Sequence, residues 1–410
     1  MLIMKEILIY TLCYFGLFSS TLLMIVFFQN IRTLKHPKPK YFPKVSIIVP
    51  AFNEERSLRK TVESLFSLDY PKELLEIMII DDGSRDDTLK IAKTYESKGV
   101  KVFTKKNTGK ADTLNYGLAR CSGEIVGALD ADSFVRPDAL KKMIAYFEQK
   151  RVMCVVPSVK IWQPKGILSR IQAAEFLSAL FIRKSFSYLG GVPITPGPFT
   201  LYKRWFFDTY GGYNTETLTE DIEIALRIES KKFVIESVID ANVYTDPVHG
   251  LKKVYTQRLR WFKGFIDNII AYRFMIKPSY GNLGMFILPI SIISIILGIG
   301  AFSYSMARLG STFAQNLVNW YLIGFDISTW FQYDFDTFFI NTGPLLIIPL
   351  IAIAIAVVIL LFAREYSKEK QPWALSALSF FMIYWMIYSV CWASAIAHRV
   401  AKRTVYWGKQ

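Results

Sequence analysis

Two carboxylates separated by one residue follow a short apolar run, and they form the clearest chemical signal in the chain. Residues 125–129 read Ile-Val-Gly-Ala-Leu, and Asp130 and Asp132 come directly after them. The run is too short to span a membrane and has the composition of a buried strand. The strand is predicted over residues 124–132, and alternation along it places both carboxylates on one side of the chain. Alone, the pair also suits a solvated strand end; with further carboxylates nearby it predicts Mg²⁺ or Mn²⁺ on a diphosphate.

Further polar side chains stand where other strands should end. Residues 44–52 and 75–80 read as strands, and they end in Asn53 and in the pair Asp81 and Asp82. Helical patterns separate the strands, so the order strand–helix–strand–helix–strand–helix–strand predicts a parallel sheet wrapped by helices. Ligands on such sheets bind beyond the carboxyl ends of the strands. No Gly-x-Gly-x-x-Gly or Walker lysine motif follows the first strand, which disfavours a dinucleotide oxidoreductase and a P-loop ATPase.

The elements that must complete this site lie between residues 153 and 270. A strand is predicted at 153–161 and a long amphipathic helix at 167–186, followed by the glycine- and proline-rich loop that contains Gly197. Such a loop is most often only a connection, but it could also let a substrate chain pass close to the backbone. Thr219, Glu220 and Asp221 then precede a helical pattern. These residue types suit helix capping, and they equally suit a carboxylate held ready to accept a proton.

The segment 252–273 has the pattern of a helix that lies along a membrane surface. Apolar residues recur at helical spacing between lysines and arginines, and the segment contains Gln257-Arg258-Leu259-Arg260-Trp261. An amphipathic helix of this kind is typical of the interface between water and lipid. From this pattern alone, the simplest interpretation of the arginines is contact with lipid headgroups.

Four long apolar segments indicate a membrane protein. The chain is 52% hydrophobic and carries a net charge of +15. Each segment is long enough to cross a bilayer, and the expected topology is one span before the catalytic region and three after it. The predicted spans are Ile7–Phe28, Leu283–Ala307, Phe338–Phe362 and Ala374–Ala397.

Charge placement predicts the orientation of these spans. Basic residues follow the first span closely, which marks its cytoplasmic side, so the catalytic region should be cytoplasmic in a multi-pass plasma-membrane protein. The basic stretch after the first span either contacts anionic headgroups or is a solvated linker. A nucleic acid partner is not expected. Acidic residues suit an outside loop, and residues 313–331 suit an extra span or a surface helix. The basic linker residues are Arg32, Lys35, Lys38, Lys40 and Lys44, and the acidic loop residues are Asp326, Asp334 and Asp336.

Four short motifs in fixed order resemble those of the processive family-two glycosyltransferases. They are Asp81-Asp82, Asp130-Ala131-Asp132, Thr219-Glu220-Asp221 and Gln257-Arg258-Leu259-Arg260-Trp261, followed by a group of spans. The set is similar to that of hyaluronan, chitin, cellulose and poly-N-acetylglucosamine synthases. The last group is closest in pattern, through the segments 109–115 and 199–202.

The resemblance implies a GT-A fold, which is an α/β fold with a Rossmann-like mixed sheet and helices on both faces, and a UDP-sugar donor. It also implies a role for each matching residue. Donor contacts fall to Asn53, Asp81, Lys110, Asp130 and Arg260, metal binding to Asp132 and Asp130, catalysis to Asp221 with Glu220, and acceptor contacts to Trp261, Thr219 and Gly197.

The implied activity is inverting, metal-dependent transfer of a sugar, with N-acetylglucosamine favoured, to a growing β-linked polysaccharide that is moved across the membrane. Single-sugar transfer to a lipid stays open, because ceramide glucosyltransferases resemble the same motif set. Membrane lipids and a small membrane subunit are the expected partners. The expected regions are a transmembrane helix (1–30), a basic linker (31–44), a GT-A domain (45–249), an interfacial amphipathic helix (250–278) and about three transmembrane helices (279–410).

Overall fold

The computed structural model describes residues 2–34, 37–322 and 344–403. The chain divides into two compact units. One contains the residues up to 22 and residues 290–357, and its described part consists of apolar helices. The other contains residues 23–289 and those from 358 onward, and holds the sheet and every candidate site residue.

The sheet has eight strands and is mixed. Its strand order is β3-β2-β1-β4-β7-β6-β8-β5. The first four strands of this order are parallel, as predicted, because helical crossovers connect them. β7 then runs antiparallel to β4 and β6. The strands are β1 (Val45–Ala51), β2 (Leu75–Asp81), β3 (Lys101–Thr104), β4 (Ile125–Ala128), β5 (Ser133–Val135), β6 (Val152–Ile161), β7 (Thr200–Lys203) and β8 (Val234–Thr245).

Both faces of the sheet are covered, which explains the nearly continuous apolar runs of the central strands. Along β1, Ile47 and Val49 belong to one buried cluster, whereas Ile48 belongs to the cluster on the opposite face. Each such side chain contributes roughly 1.5–3 kcal/mol through burial. The rigid sheet therefore holds its strand ends at one edge.

Helices connect and cover these strands. In the catalytic region they are α2 (Leu58–Phe66), α3 (Thr88–Lys93), α4 (Lys110–Leu118), α5 (Ala139–Ile144), α6 (Ile167–Tyr188), α7 (Arg204–Tyr210), α8 (Glu220–Ser230) and α9 (Leu251–Ala271). The remaining helices are α1 (Leu2–Gln29), α10 (Leu288–Leu322), α11 (Pro344–Tyr366), α12 (Ala374–Ser379) and α13 (Trp385–Val400).

Two sequence-based boundaries are wrong. The predicted strand over residues 124–132 ends at Ala128, because the carbonyl of Asp130 accepts a hydrogen bond from the Ser133 N–H and closes a turn. Strand alternation therefore does not orient Asp130 and Asp132. The sequence pattern after the second strand also predicts a helix over residues 86–97, but α3 covers only Thr88–Lys93, and a separate turn of 3₁₀ helix, Glu96–Lys98, follows it.

Each of the four predicted spans overlaps a helix long and apolar enough to cross a membrane, and residues 338–343 of the third predicted span lie outside the described residues. These candidate spans are Tyr10–Gln29, Leu283–Leu322, Ile347–Tyr366 and Ala374–Val400. Residues 313–322 of the predicted extra span continue α10, whereas residues 323–331 lie outside the described residues. The predicted acidic loop residues Asp326, Asp334 and Asp336 also lie outside them.

Candidate active site

The loop before α4 places a lysine at the edge of the sheet. Asp82, directly after β2, accepts hydrogen bonds from the backbone N–H groups of Thr108 (3.1 Å) and Gly109 (3.0 Å). Its carboxylate also pairs with Lys105 at 2.6 Å. These bonds fix the start of α4, whose first residue is Lys110. Asp82 was noticed in the sequence only as a strand-end carboxylate, and its position indicates that it supports Lys110.

Lys110 joins two of the motifs. Its ammonium group lies 2.5 Å from Asp130 Oδ1 and 3.5 Å from Glu220 Oε1. Burial alone would lower the pKa of Lys110, but the two carboxylates outweigh burial and raise it, so the side chain stays protonated. Gly197 lies beside this pair, since a Cβ there would be 3.1 Å from Lys110 Nζ and 3.5 Å from Asp130 Oδ2. The glycine leaves room beside the second carboxylate oxygen.

Asp132 lies at the junction of the sheet edge and β8. Its Oδ1 accepts hydrogen bonds from the hydroxyls of Ser133 (3.0 Å) and Thr245 (3.5 Å). Across the described residues, no group of three or more histidine, cysteine or acidic residues has the arrangement of a metal site. Asp130 and Asp132 do provide hard oxygen donors, and such donors fit Mg²⁺ or Mn²⁺ when a diphosphate completes the coordination.

Asn53 and Asp81 occupy the ends of two neighbouring strands. Asn53 has a left-handed backbone (φ 55°), and its Oδ1 accepts a hydrogen bond from the Arg85 N–H at 2.9 Å. Asp81 is buried, with its carboxylate accepting hydrogen bonds from the Thr104 hydroxyl (2.9 Å) and the Ser84 N–H (3.2 Å). The structure thus places both residues on the β1–β2 side of the edge.

The start of α8 does not use the capping bond that its sequence suggested. Thr219 stands at the N-cap position, but its side chain makes no capping hydrogen bond. Instead, its hydroxyl accepts a hydrogen bond from Asn268 Nδ2 of α9 at 3.0 Å. The backbone carbonyl of Asp221 accepts another from the Thr195 hydroxyl at 2.7 Å. The first turn of α8 is therefore held by tertiary contacts.

One strip of α9 contacts the segment before α8. Its residues Arg260, Gly264 and Asn268 are four apart and share one face of the helix. Arg260 donates to the Leu218 carbonyl at 3.3 Å. A Cβ at Gly264 would lie 2.4 Å from the Thr219 hydroxyl oxygen, so the close approach requires glycine. The strip brings two of the predicted motifs, residues 219–221 and 257–261, into contact.

Electrostatics give Asp221 an unusual protonation equilibrium. Burial and then the neighbouring charge of Glu220 raise its pKa, whereas Lys110 and Arg260 act in the opposite direction, and the result is about 7. A carboxylate with a pKa near the working pH is well suited to accept a proton from a hydroxyl group. The site therefore combines a carboxylate of raised pKa with two neighbouring cations.

Sequence reasoning missed three residues near Asp221. Gly264 and Asn268 have a weak sequence signal, since they continue the spacing of four residues that begins at Arg260. Arg183 of α6 has no such signal. Its guanidinium is enclosed, its NH1 has no hydrogen-bond partner among the described residues, and the charge of Asp221 acts on it. Burial lowers the pKa of Arg183 to about 10, which still leaves it cationic at neutral pH.

The headgroup interpretation of the α9 arginines is wrong for Arg258. This residue is 2% exposed and is paired with Glu175 of α6. Phe262 of α9 stacks on Trp392 of α13 with ring centroids 4.2 Å apart. This face of α9 thus packs against protein.

Comparison with known proteins identifies the domain. Residues 46–211 match the family model described as Glycosyl transferase family 2. The chain is similar to poly-beta-1,6-N-acetyl-D-glucosamine synthase of Staphylococcus epidermidis, with 28% identity over 84% of this chain and 80% of the relative. It is also similar to beta-monoglucosyldiacylglycerol synthase of Trichormus variabilis, with 30% identity over 66% of this chain and 62% of the relative.

A solved structure shares the fold. The mannosyltransferase PcManGT from Pyrobaculum calidifontis, in complex with GDP-Man and Mn²⁺, aligns with a TM-score of 0.63 and 18% identity. The alignment covers 97% of this chain and 100% of that chain. The mixed sheet with its covering helices is accordingly of the GT-A type.

Proposed function

We propose that this chain, a family 2 glycosyltransferase, transfers N-acetylglucosamine from a UDP-sugar to the end of a growing β-linked polysaccharide, with inversion at the transferred carbon. The observation that carries the proposal is the position of Asp221. It stands at the start of α8 with a pKa near 7, and the cations Lys110 and Arg260 act on it. Base and cations together are what displacement of a diphosphate by a hydroxyl group requires.

The proposed reaction assigns a role to each side of the site. Asp221 accepts the proton of the acceptor hydroxyl while the oxygen of that hydroxyl forms a bond to the anomeric carbon. The bond from that carbon to the diphosphate oxygen breaks, and UDP leaves with the electron pair. Lys110 and Arg260 stabilise the charge that develops on the leaving group. One base without a covalent intermediate on the protein implies direct displacement, so an α-linked donor gives a β-linkage.

Donor binding is assigned to the sheet edge. Asn53 and Asp81 contact the nucleoside, and Asp130 contacts the nucleotide beside Lys110. Asp132, with Asp130, would hold Mg²⁺ or Mn²⁺. When bound, the metal would neutralise charge on the diphosphate of the donor.

The acceptor side is assigned to α9 and the loop before β7. Trp261 follows Arg260 on α9 and would stack on the acceptor sugar, because an aromatic face suits a sugar ring. Thr219 and Gly197 line the path between donor and acceptor in this proposal. Glu220 supports catalysis by raising the pKa of Asp221 and by lying beside Lys110.

Polymer synthesis is favoured by the extent of similarity. The poly-beta-1,6-N-acetyl-D-glucosamine synthase matches most of both chains, whereas the beta-monoglucosyldiacylglycerol synthase matches 62% of its own length. The candidate spans support movement of the product across the membrane. Transfer of one glucose to a diacylglycerol is the second candidate, supported by that relative's 30% identity.

The expected regions and orientation are part of the proposal. The basic residues after α1 would lie on the cytoplasmic side of a plasma membrane, with the catalytic region there too. The proposed regions are those expected from the sequence, with residues 45–249 as the GT-A domain. A small membrane subunit is retained as an expected partner.

A product-size assay tests the proposed function. Purified protein in lipid nanodiscs would receive labelled UDP-GlcNAc, UDP-Glc or UDP-GlcA, with Mn²⁺ or with EDTA, and diacylglycerol or ceramide would be added in parallel. The Asp221→Asn variant serves as the inactive control. We expect a high-mass product from UDP-GlcNAc that requires the metal.

Other products would revise the proposal in defined ways. A product one sugar heavier than an added lipid, and nothing longer, would establish the lipid transferase. A polymer from another donor would change the sugar but not the reaction. Equal activity in EDTA would show that transfer needs no metal. Failure to form a product from any of the donors would contradict the proposed function.

A further inference from the structure

A buried network stands behind the proposed acceptor side of α9. Arg258 has no part in the proposed reaction, yet its NH2 lies 2.5 Å from Glu175 Oε2 of α6 and its NH1 lies 2.6 Å from Gln257 Oε1. A buried arginine paired in this way is costly to desolvate and contributes little net stability. A role in orientation is a better explanation for such a pair than stability is.

The network extends to the C-terminal candidate span. The second oxygen of Glu175, Oε1, accepts a hydrogen bond from the Tyr384 hydroxyl at 2.7 Å. Tyr384 ends a wide π-helical turn, Phe380–Tyr384, which lies between α12 and α13. Both oxygens of one carboxylate thus connect α9 with a helix long and apolar enough to span a membrane.

The other end of the network is the aromatic ring of Trp261. The guanidinium carbon of Arg258 lies 4.2 Å from the centroid of that ring. A cation over an aromatic face is attracted by the ring, and the attraction is stronger where water is excluded. Because Arg258 is held by Glu175 and Gln257, its plane is fixed, and the ring orientation is fixed with it.

We propose that Arg258, Glu175 and Tyr384 are positioning residues that orient Trp261 for stacking on the acceptor sugar. The inference rests on the proposed function, since it takes Trp261 as the acceptor platform. Stacking requires a ring held in one orientation, and a flexible tryptophan would lose order each time an acceptor sugar binds. The C-terminal candidate span thereby contributes to acceptor binding without contacting the acceptor.

The alternative is that the same contacts only dock the helices together. A matched control exists for that role, because Tyr255 of α9 hydrogen-bonds to Ser394 of α13 at 2.5 Å. This bond connects α9 to the same span, and Trp261 has no part in it. Tyr255→Phe therefore removes a docking contact of similar kind and leaves the Trp261 network intact.

The first experiment measures the orientation of Trp261 directly and does not depend on activity. The full chain is labelled with 5-fluorotryptophan in nanodiscs, and the Trp261 resonance is assigned by Trp261→Phe. We expect this ¹⁹F resonance to shift or broaden in Tyr384→Phe and in Glu175→Gln, and to stay unchanged in Tyr255→Phe. Tyr384→Phe changes no charge, so it still tests the proposal if Glu175→Gln does not fold. An unchanged resonance in Tyr384→Phe would overturn the proposal.

The second experiment measures acceptor use. In Tyr384→Phe and Glu175→Gln, the KM for an added oligosaccharide acceptor should rise about 3- to 10-fold, with the donor KM within about twofold of the original. In a Trp261→Ala background neither substitution should have a further effect. Effects that persist in that background, or an equal effect of Tyr255→Phe, would show that the network only docks the helices together. Absence of any transfer by the unmodified protein would contradict the proposed function, and the ¹⁹F result would still decide the network.

Discussion

The two sides of the candidate site are built in different ways. Apart from Arg260 of α9, the proposed donor side consists of residues at the ends of β1, β2 and β4 together with the start of α4, all between residues 45 and 135. The base and acceptor side depends on α6, α8, α9 and the C-terminal helix α13. One side is held by a sheet whose strands are neighbours in sequence, and the other by helices that are distant in sequence.

This difference has a consequence for function. The sheet edge is buried on both faces and rigid, which suits a nucleotide that every reaction cycle binds in the same way. The helical side is held by single side-chain contacts such as Asn268 with Thr219. We therefore expect donor-side substitutions to change donor binding. Acceptor-side substitutions should change kcat or the KM of the acceptor at unchanged donor affinity.

The largest expected effect is that of Asp221→Asn. Transfer should fall by on the order of 10²–10⁴-fold, because the acceptor hydroxyl loses its base, while donor affinity measured by calorimetry stays close to the original. Glu229→Gln is the matched control on α8, since Glu229 accepts a hydrogen bond from the Val192 N–H and lies outside the proposed machinery. Full transfer activity in Asp221→Asn would remove Asp221 from its role.

Asp132→Ala tests the donor side. Metal-dependent donor binding should be lost, with transfer reduced by on the order of 10²-fold or more. Donor affinity would be measured with and without Mn²⁺, and the two values should become equal in the variant. Asp138→Ala provides the control, because Asp138 is an exposed carboxylate that pairs with Lys142. If Mn²⁺ still changes donor affinity in Asp132→Ala, Asp132 is excluded as the metal ligand.

Asn268→Ala tests whether tertiary contacts hold the base. Four oxygens lie within 3.4 Å of Asn268 Nδ2, including the hydroxyl and carbonyl of Thr219. We expect kcat to fall about tenfold at unchanged donor affinity, because the start of α8 loses its anchor. Asp267→Asn, one residue earlier on α9, should have little effect on kcat. A change in donor affinity alone would contradict the division between the two sides.

Glu220→Gln should produce the smallest effect, a shift in pH dependence. Asp221 accepts a proton only when ionised, so transfer should rise with pH through about 7 in the original protein. The charge of Glu220 raises the pKa of Asp221, and its removal should therefore move the acidic limb of kcat/KM to lower pH by about half to one unit. A limb that stays in place or moves to higher pH would show that Glu220 does not tune the base.

The sequence predicted the donor side more completely than the acceptor side. Strand patterns and their terminal residues located Asn53, Asp81, Asp130 and the parallel half of the sheet, because strand ends are a local property of the chain. The predicted end of the strand before Asp130 was wrong, since the strand stops at Ala128. The turn that follows is closed by one backbone hydrogen bond, which residue pattern does not reveal. The apolar segments also identified the four candidate spans.

The contacts that support the acceptor side escaped prediction for a physical reason. Asn268 and Thr219 are 49 residues apart, Arg258 and Glu175 are 83 apart, and Tyr384 and Glu175 are 209 apart. Residue type gave Thr219 a capping role and Arg258 a headgroup role, and in each case a distant helix provides the actual partner. Their polar groups are buried by packing, and a buried polar group must bond to whatever packing brings near it.

The sequence by itself determined which chemistry is available: carboxylates at strand ends, a carboxylate at a helix start, and an arginine with a tryptophan on a helix. Pattern and length also determined the sheet and the spans. Only the tertiary structure decided that α9 packs on the start of α8, which brings the charge of Arg260 to act on Asp221, and that α6 pairs with the arginine beside Trp261. Helix packing depends on the shape of two surfaces at once, as at Gly264, and one segment of sequence describes only one of those surfaces.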